Sequence, residues 1–225
     1  MEAFNGNDLA FTRDSLYGTF SEPTYAGVTS FMRRRYSRDL TGVDVVMECT
    51  GRADSREVAA RGLQAGARRV LVSGPSQAAD LTVVLGANDH LLTDQAIVSN
   101  ASCTTNALAP LARLIHREWG VVTGSMTTIH CYTGSQPTVD APAADYPRSR
   151  AAALSMVPTT TSASRLLDQV LPEIAGRIQG SAVRVPTASV SCVDLAVMTE
   201  RLATVEAVTA AFRAAGGVIG ATDRP

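Results

Sequence analysis

The 225-residue chain contains no lysine, and all 20 of its basic residues are arginine. Chemistry that needs a primary amine, whether a Schiff base or the phosphate-gripping lysine of a P-loop, is therefore excluded. Cysteine is sparse as well. Cys49, Cys103, Cys131 and Cys192 form no C-x-x-C pair and no short Cys/His spacing, so neither a zinc site nor a disulfide framework is expected, and reduced thiols fit best. No G-x-G-x-x-G occurs anywhere, and no internal repeat or low-complexity linker is found. No apolar run reaches the length that spans a bilayer. Met1–Asp8 has neither the basic start nor the apolar stretch of a signal peptide, so the expected location is the cytoplasm, with no membrane partner. The formal net charge of −1 gives no electrostatic reason to expect nucleic acid. The one basic run, Arg33-Arg34-Arg35, reads as a solvated surface.

What is present describes a globular protein, with 45% hydrophobic and 18% charged residues. Residues 1–42 carry no sustained period of 2 or 3.6 and are expected to hold little regular structure. From Val43 to Cys49 an apolar strand is predicted. A helix follows over about Ser55–Ala65, capped by serine and stopped by Gly66, and then a second buried strand over Arg69–Val72. Strand, helix, strand with short joints is a parallel βαβ unit, and ligands on such sheets collect beyond the carboxyl ends of the strands, here at Thr50-Gly51 and Ser73-Gly74. Further strands are expected at Thr82–Leu85 and Ala96–Ser99. A helix over about Ser102–Glu118 has Leu108, Leu111, Leu114 and Ile115 at helical spacing.

Beyond it the character changes. Val121–Cys131 is Thr-rich and strand-like, and 134–150 is a polar loop with three prolines. Strands are expected at Ser181–Val185 and Ala188–Met198, and helices over about Ser164–Val170 and Val205–Ala215. The predicted class is α/β: a partial Rossmann-like, doubly wound parallel sheet followed by an α+β domain with a mostly antiparallel sheet, divided near Asn100.

Cys103 stands in Ser99-Asn100-Ala101-Ser102-Cys103-Thr104-Thr105-Asn106, where a strand gives way to a helix. Unpaired amides and the positive end of the helix dipole favour a thiolate there. The hydroxyls of Ser102, Thr104 and Thr105, with the same amides, would also suit an anion such as phosphate. A small inert residue in a capped helix start is the plain structural alternative. His130 follows after twenty-seven positions, far enough to fold back, whereas His116 falls inside the amphipathic helix and His90 in a polar loop. A Cys–His pair can act as ion pair and general acid or base, although a lone histidine is often structural.

Ser99–Asn106 followed by His130 resembles the signature of phosphorylating glyceraldehyde-3-phosphate dehydrogenases, a family to which erythrose-4-phosphate dehydrogenases are closely related. The resemblance extends through Gly42–Val46, Cys49–Arg52, Val72–Pro75, Arg148–Ala153, Val157–Thr161, Val183–Thr187 and Val193–Leu195. It covers about four-fifths of the chain.

It implies a thiol mechanism with Cys103 as nucleophile and His130 as its proton partner, NAD as cofactor, and a phosphorylated aldehyde and inorganic phosphate as substrates. Ser102, Thr104, Thr161 and Arg148 would hold the attacking phosphate; Thr133 and Arg184 would hold the phosphate of the substrate. Thr50, Gly51 and Ser73 would face the ribose or nicotinamide side of the cofactor, and no metal is implied. In these terms residues 1–100 are a partial NAD-binding domain lacking the glycine-rich loop, and 101–225 are a catalytic domain shortened at its C-terminus. About a third of a typical family chain is absent. Ser135, Ser162, Ala53 and Ala107 also depart from common family residues. A homo-oligomer, a tetramer by resemblance, or association with a full-length relative is expected, with loop 134–150 packing between subunits. Two other readings stay open: a cofactor-independent thiol acyl-transferase or hydrolase acting on phosphorylated substrates, and a non-catalytic interaction subunit.

Overall fold

A computed structural model describes residues 39–143 and 145–222. The Arg33–Arg35 run, the N-terminal stretch before Asp39 and the expectations attached to them lie outside the described residues. The described residues form two compact units, one containing those up to Val83 together with His90–Ala101, the other Val84–Asp89 together with those from Ser102 onward.

In the first unit, β1 (Val45–Glu48), β2 (Arg69–Val72), β3 (Leu81–Thr82) and β4 (Ile97–Ser99) form a parallel sheet in the order β1-β2-β4-β3. Val46, Val70, Val72 and Ile97 are buried in its core beside Leu40, Ala53, Ala59 and Ala67. Burying each larger aliphatic side chain contributes roughly 1.5–3 kcal/mol. The helix expected over 55–65 is two short ones, α1 (Arg56–Ala59) and α2 (Arg61–Gln64), joined at Ala60, whose ψ of −3° leaves the helical range. Ser55 caps the first, its Oγ accepting the Val58 N–H, and Gly66 follows the second at φ +106°. Gly62 lets α2 lie close to the sheet: a Cβ there would stand 2.8 Å from a Val70 methyl and 3.2 Å from Val46 Cβ. The strand expected over Thr82–Leu85 is confined to Leu81–Thr82. Val84 instead belongs with the second unit, where the Asn88 side chain accepts its N–H.

Asp80 ties the first unit together. Its carboxylate takes Arg56 Nη1 at 2.5 Å and the Ile97 N–H at 2.8 Å. The Arg56 hydrogen bond holds this carboxyl below the usual carboxylate range, with the Ile97 amide adding to it and partial burial opposing it.

The second unit has a mixed four-stranded sheet in the order β6-β7-β5-β8: β5 (Val121–Cys131), β6 (Val157–Thr159), β7 (Ile178–Val185) and β8 (Ser191–Thr199). β5 runs parallel to β7 and antiparallel to β8, and β6 is antiparallel to β7. The predicted class therefore holds: a parallel sheet is followed by an α+β unit in which two of three pairings are antiparallel. β6 has no counterpart among the predicted strands, because three residues with Pro158 at their centre carry no alternation to read. The long helix α3 (Cys103–Trp119) contains Pro110, which supplies no N–H to the preceding turn. It packs with α4 (Ala163–Val170) and the sheet, burying Leu108, Ala112, Leu166, Leu167, Met126 and Ile178. α5 (Val205–Ala215) lies near the C-terminus, capped by Thr204. Among the described residues no helix is long and apolar enough to cross a membrane.

Candidate active site

Cys103 is the first residue of α3 and is exposed. Ser102 caps the helix: its Oγ accepts the Thr105 N–H at 3.1 Å and lies 2.8 Å from Thr105 Oγ1. The amides of Cys103 and Thr104, in the first turn, have no acceptor within the helix. That turn concentrates positive backbone charge at the sulfur, about half an elementary charge at most.

His130 reaches the sulfur from β5. Met126, Thr128 and His130 are buried at alternate positions of that strand, so period-two patterning directs the imidazole inward. Its Nε2 is 3.3 Å from Cys103 Sγ. On the other side of the ring, Nδ1 lies 2.7 Å from the Cys131 carbonyl, 2.8 Å from Arg184 Nη1 and 3.6 Å from Cys131 Sγ. Arg184 also donates to the Cys131 carbonyl at 3.0 Å. Parallel register explains this contact: His130 on β5 is paired with Arg184 on β7, and in-register neighbours project to one face.

Cys103, His130 and Arg184 thus form one chain of contacts, sulfur to imidazole to guanidinium. Among the described residues no hydrogen bond joins Thr133, Arg148 or Thr161 to that trio. Thr133 Oγ1 is 3.0 Å from Ser135 Oγ, just beyond the end of β5. Thr161 Oγ1 accepts the Ala163 N–H at the start of α4. Arg148 sits in a 3-10 turn, Pro147–Ser149, with Nε 3.0 Å from Asp145 Oδ2 and Nη2 donating to Thr160 Oγ1 at 3.4 Å. Neither contact uses Nη1, so the guanidinium keeps N–H groups for an anion beside the Asp145 pair. Thr104 is buried in the first turn of α3.

The other histidines are occupied elsewhere. His116 Nδ1 accepts the Val121 N–H, joining α3 to β5, and His90 is exposed in a 3-10 turn, Asp89–Leu91. Sequence reasoning assigned no role to Cys131, Asp145 or Thr160. The neighbour of a histidine that offers its carbonyl, and an acid three residues before an arginine, are local signals that could have drawn attention to the first two; Thr160 has none. A surface recess lined by Asp140, Pro142, Tyr146 and Arg150, among others, includes none of the thiol trio. Among the described residues no group of three or more His, Cys, Asp or Glu side chains could hold a metal ion.

In the first unit, Thr50-Gly51 and Ser73-Gly74 follow the carboxyl ends of β1 and β2. Gly51, at φ +69°, and Gly74 both face open space where a Cβ would stand, and Ser73 is exposed. The Thr50 N–H is already given to buried Glu48 Oε1 at 3.0 Å, so the threonine has its hydroxyl to offer. This ledge is open at Gly51 and Gly74, and a G-x-G-x-x-G turn does not occur in the sequence.

Residues 102–219 match the family model for the glyceraldehyde 3-phosphate dehydrogenase C-terminal domain. The chain is 50% identical over 190 residues to a glyceraldehyde-3-phosphate dehydrogenase of Xanthobacter flavus and 53% identical over 190 residues to one of Cereibacter sphaeroides. Each alignment covers 82% of this chain and 57% of the relative. One from Zymomonas mobilis is 40% identical over 241 aligned residues, covering 98% of this chain and 72% of the relative. The chain spans 57% of the length of the first two relatives. On the family-model match and on these identities, the chain belongs to the glyceraldehyde-3-phosphate dehydrogenase family.

Proposed function

We propose that this protein carries out NAD-dependent oxidative phosphorylation of glyceraldehyde 3-phosphate to 1,3-bisphosphoglycerate. The observation that carries this reading is the 3.3 Å approach of Cys103 Sγ to His130 Nε2 at the first turn of a 17-residue helix. The sulfur attacks the aldehyde carbon, and the new C–S bond gives a thiohemiacetal. Its hydroxyl proton passes to His130 Nε2 as hydride leaves the carbon, and a thioester results. When bound, NAD supplies the acceptor for that hydride. A phosphate oxygen then attacks the thioester carbonyl, the C–S bond breaks, and Cys103 departs as thiolate.

Ser102, Thr104, Thr161 and Arg148 hold the attacking phosphate in this reading. Thr133 and Arg184 hold the phosphate of the substrate, and a guanidinium fork beside a hydroxyl suits that oxyanion. Thr50, Gly51 and Ser73 hold the ribose and nicotinamide end of NAD. Residues 1–100 serve as the partial dinucleotide-binding domain and 101–225 as the catalytic domain. Loop 134–150 faces a second subunit, in a homotetramer or against a full-length relative, which accounts for Val139 and Tyr146 being 71% and 93% exposed. The protein acts in the cytoplasm.

Purified chain is mixed with glyceraldehyde 3-phosphate, phosphate and NAD, and NADH is followed by absorbance beside Cys103→Ala. NADH that depends on Cys103 is expected. Absence of both NADH and measurable NAD binding would sink the proposal. A second reading, cofactor-independent acyl transfer or hydrolysis on phosphorylated substrates, is favoured by one observation: Cys103 and His130 belong to the same compact unit. It predicts Cys103-dependent breakdown of an acyl phosphate with no NAD added.

A further inference from the structure

His130 Nδ1 has two hydrogen bonds drawn to it that cannot coexist. The contact of 2.7 Å with the Cys131 carbonyl needs a proton on Nδ1, and the contact of 2.8 Å with Arg184 Nη1 needs a lone pair there. A guanidinium only donates and does not lose its proton. With Arg184 in place, a proton on Nδ1 would set two donors head to head. The Arg184 bond to Nδ1 is charge-assisted and so belongs to the stronger class, and the same Nη1 group satisfies the Cys131 carbonyl at 3.0 Å. The ring is then neutral with its proton on Nε2, pointing at Cys103 Sγ. In that form it can donate to the thiolate but has no lone pair with which to take a proton from anything bonded to Cys103.

We propose that Arg184 is a positioning residue that sets the tautomer of His130, and that a phosphate monoester bound to Arg184 switches the ring from donor to base. This rests on the dehydrogenase reading above for its substrate. Drawing the guanidinium onto a phosphate frees Nδ1. The Cys131 carbonyl, already at 2.7 Å, accepts an Nδ1–H without any movement of the ring. One proton leaves Nε2 to solvent and one is taken up at Nδ1, so the ring stays neutral and Nε2 acquires the lone pair that proton abstraction needs. The site becomes basic when the phosphorylated end of a substrate is seated. An aldehyde of similar size without a phosphate meets a histidine that cannot accept its proton. The groups facing the ring are Cys103 from α3, Cys131 beside it on β5, and Arg184 from β7.

The test uses the full chain with heavy-nitrogen-labelled histidine. Two-bond proton–nitrogen correlation spectra report which ring nitrogen carries the proton, read on the alkaline plateau where the imidazoles are neutral. His130 is the ring missing from His130→Gln. Without anion, Nδ1 of His130 is expected to be the unprotonated nitrogen. Glycerol 3-phosphate, which carries no aldehyde and cannot react with Cys103, is expected to move the ratio towards Nδ1–H by about tenfold or more, within the usual range of coupling between sites. Arg184→Gln is expected to carry Nδ1–H from the outset and to ignore the ester, while Arg184→Lys restores part of the wild-type pattern. An Nδ1 already protonated without anion, or a ratio that the ester does not move at any concentration, overturns the proposal. The ester titration on the unaltered chain decides the matter even if Arg184→Gln does not fold. No turnover is involved, so loss of Cys103-dependent NADH and loss of the tautomer shift are separate failures.

Discussion

Cys49, Cys103 and Cys192 are all exposed, so a difference in their alkylation rates reports on bonding and not on access. With the His130 contact and the first-turn amides around it, Cys103 is expected to react with iodoacetate at neutral pH about tenfold faster than Cys192. Mass spectrometry of labelled peptides over time measures this, and equal rates would contradict activation of the thiol. His130→Gln is expected to remove most of the difference. Local pattern alone left Cys103 and His130 open to a structural reading; the pair was legible through the resemblance of Ser99–Asn106 and His130 to the family signature. The Arg184 contact was not. It depends on β5 and β7 pairing in register across 54 positions of sequence, which no local pattern encodes.

Elements were legible where an apolar or periodic run was clear, whatever its length. Arg69–Val72, Val121–Cys131 and Val205–Ala215 have the predicted bounds. Elements without such a run were not: the 55–65 helix breaks at Ala60, and β6, centred on Pro158, went unread. Gly62 tests what the break leaves behind. In an exposed helix Gly→Ala gains about 1 kcal/mol, but a Cβ here meets Val70 and Val46 in the sheet, and overpacking costs about 1–3 kcal/mol. Gly62→Ala is therefore expected to lower stability in urea unfolding, and Gly62→Val to lower it further.

Asp80 gives the same unit a dependence on acid. Its folded carboxyl lies below the ordinary range through Arg56. The stabilisation is complete above the ordinary carboxylate value and is lost as pH falls through the folded value. The pair is partly exposed, so less than about 1 kcal/mol is at stake. In acid titrations followed by circular dichroism, Asp80→Asn is expected to be less stable at neutral pH and to show a shallower loss at low pH. An unchanged acid slope would remove Asp80 from the account.

For the whole molecule, the class of each sheet could be read from the order of elements, but the path of the chain between units could not. Val84–Asp89 precedes β4 yet belongs to the second unit. Val84 is fully buried, a Gly86 Cβ would meet Val218 and Pro110, and Arg113 donates to the Gly86 carbonyl at 3.2 Å. The single tryptophan, Trp119, ends α3 in that unit and is 8% exposed. Val84→Ala is expected to lower the unfolding midpoint seen by tryptophan fluorescence, at a cost of about 2 kcal/mol. A midpoint unchanged by the substitution would separate the segment from that core.

This interleaving has a consequence for recombination. A breakpoint before Val84 sends His90–Ala101, and with it the inner strand β4 of the parallel sheet, off with the wrong half. A breakpoint after Ala101 leaves Val84–Asp89 behind. No single crossover passes either unit intact to another gene, so exchange of these two units between related genes needs three crossovers, one on each side of the hexapeptide and one after Ala101.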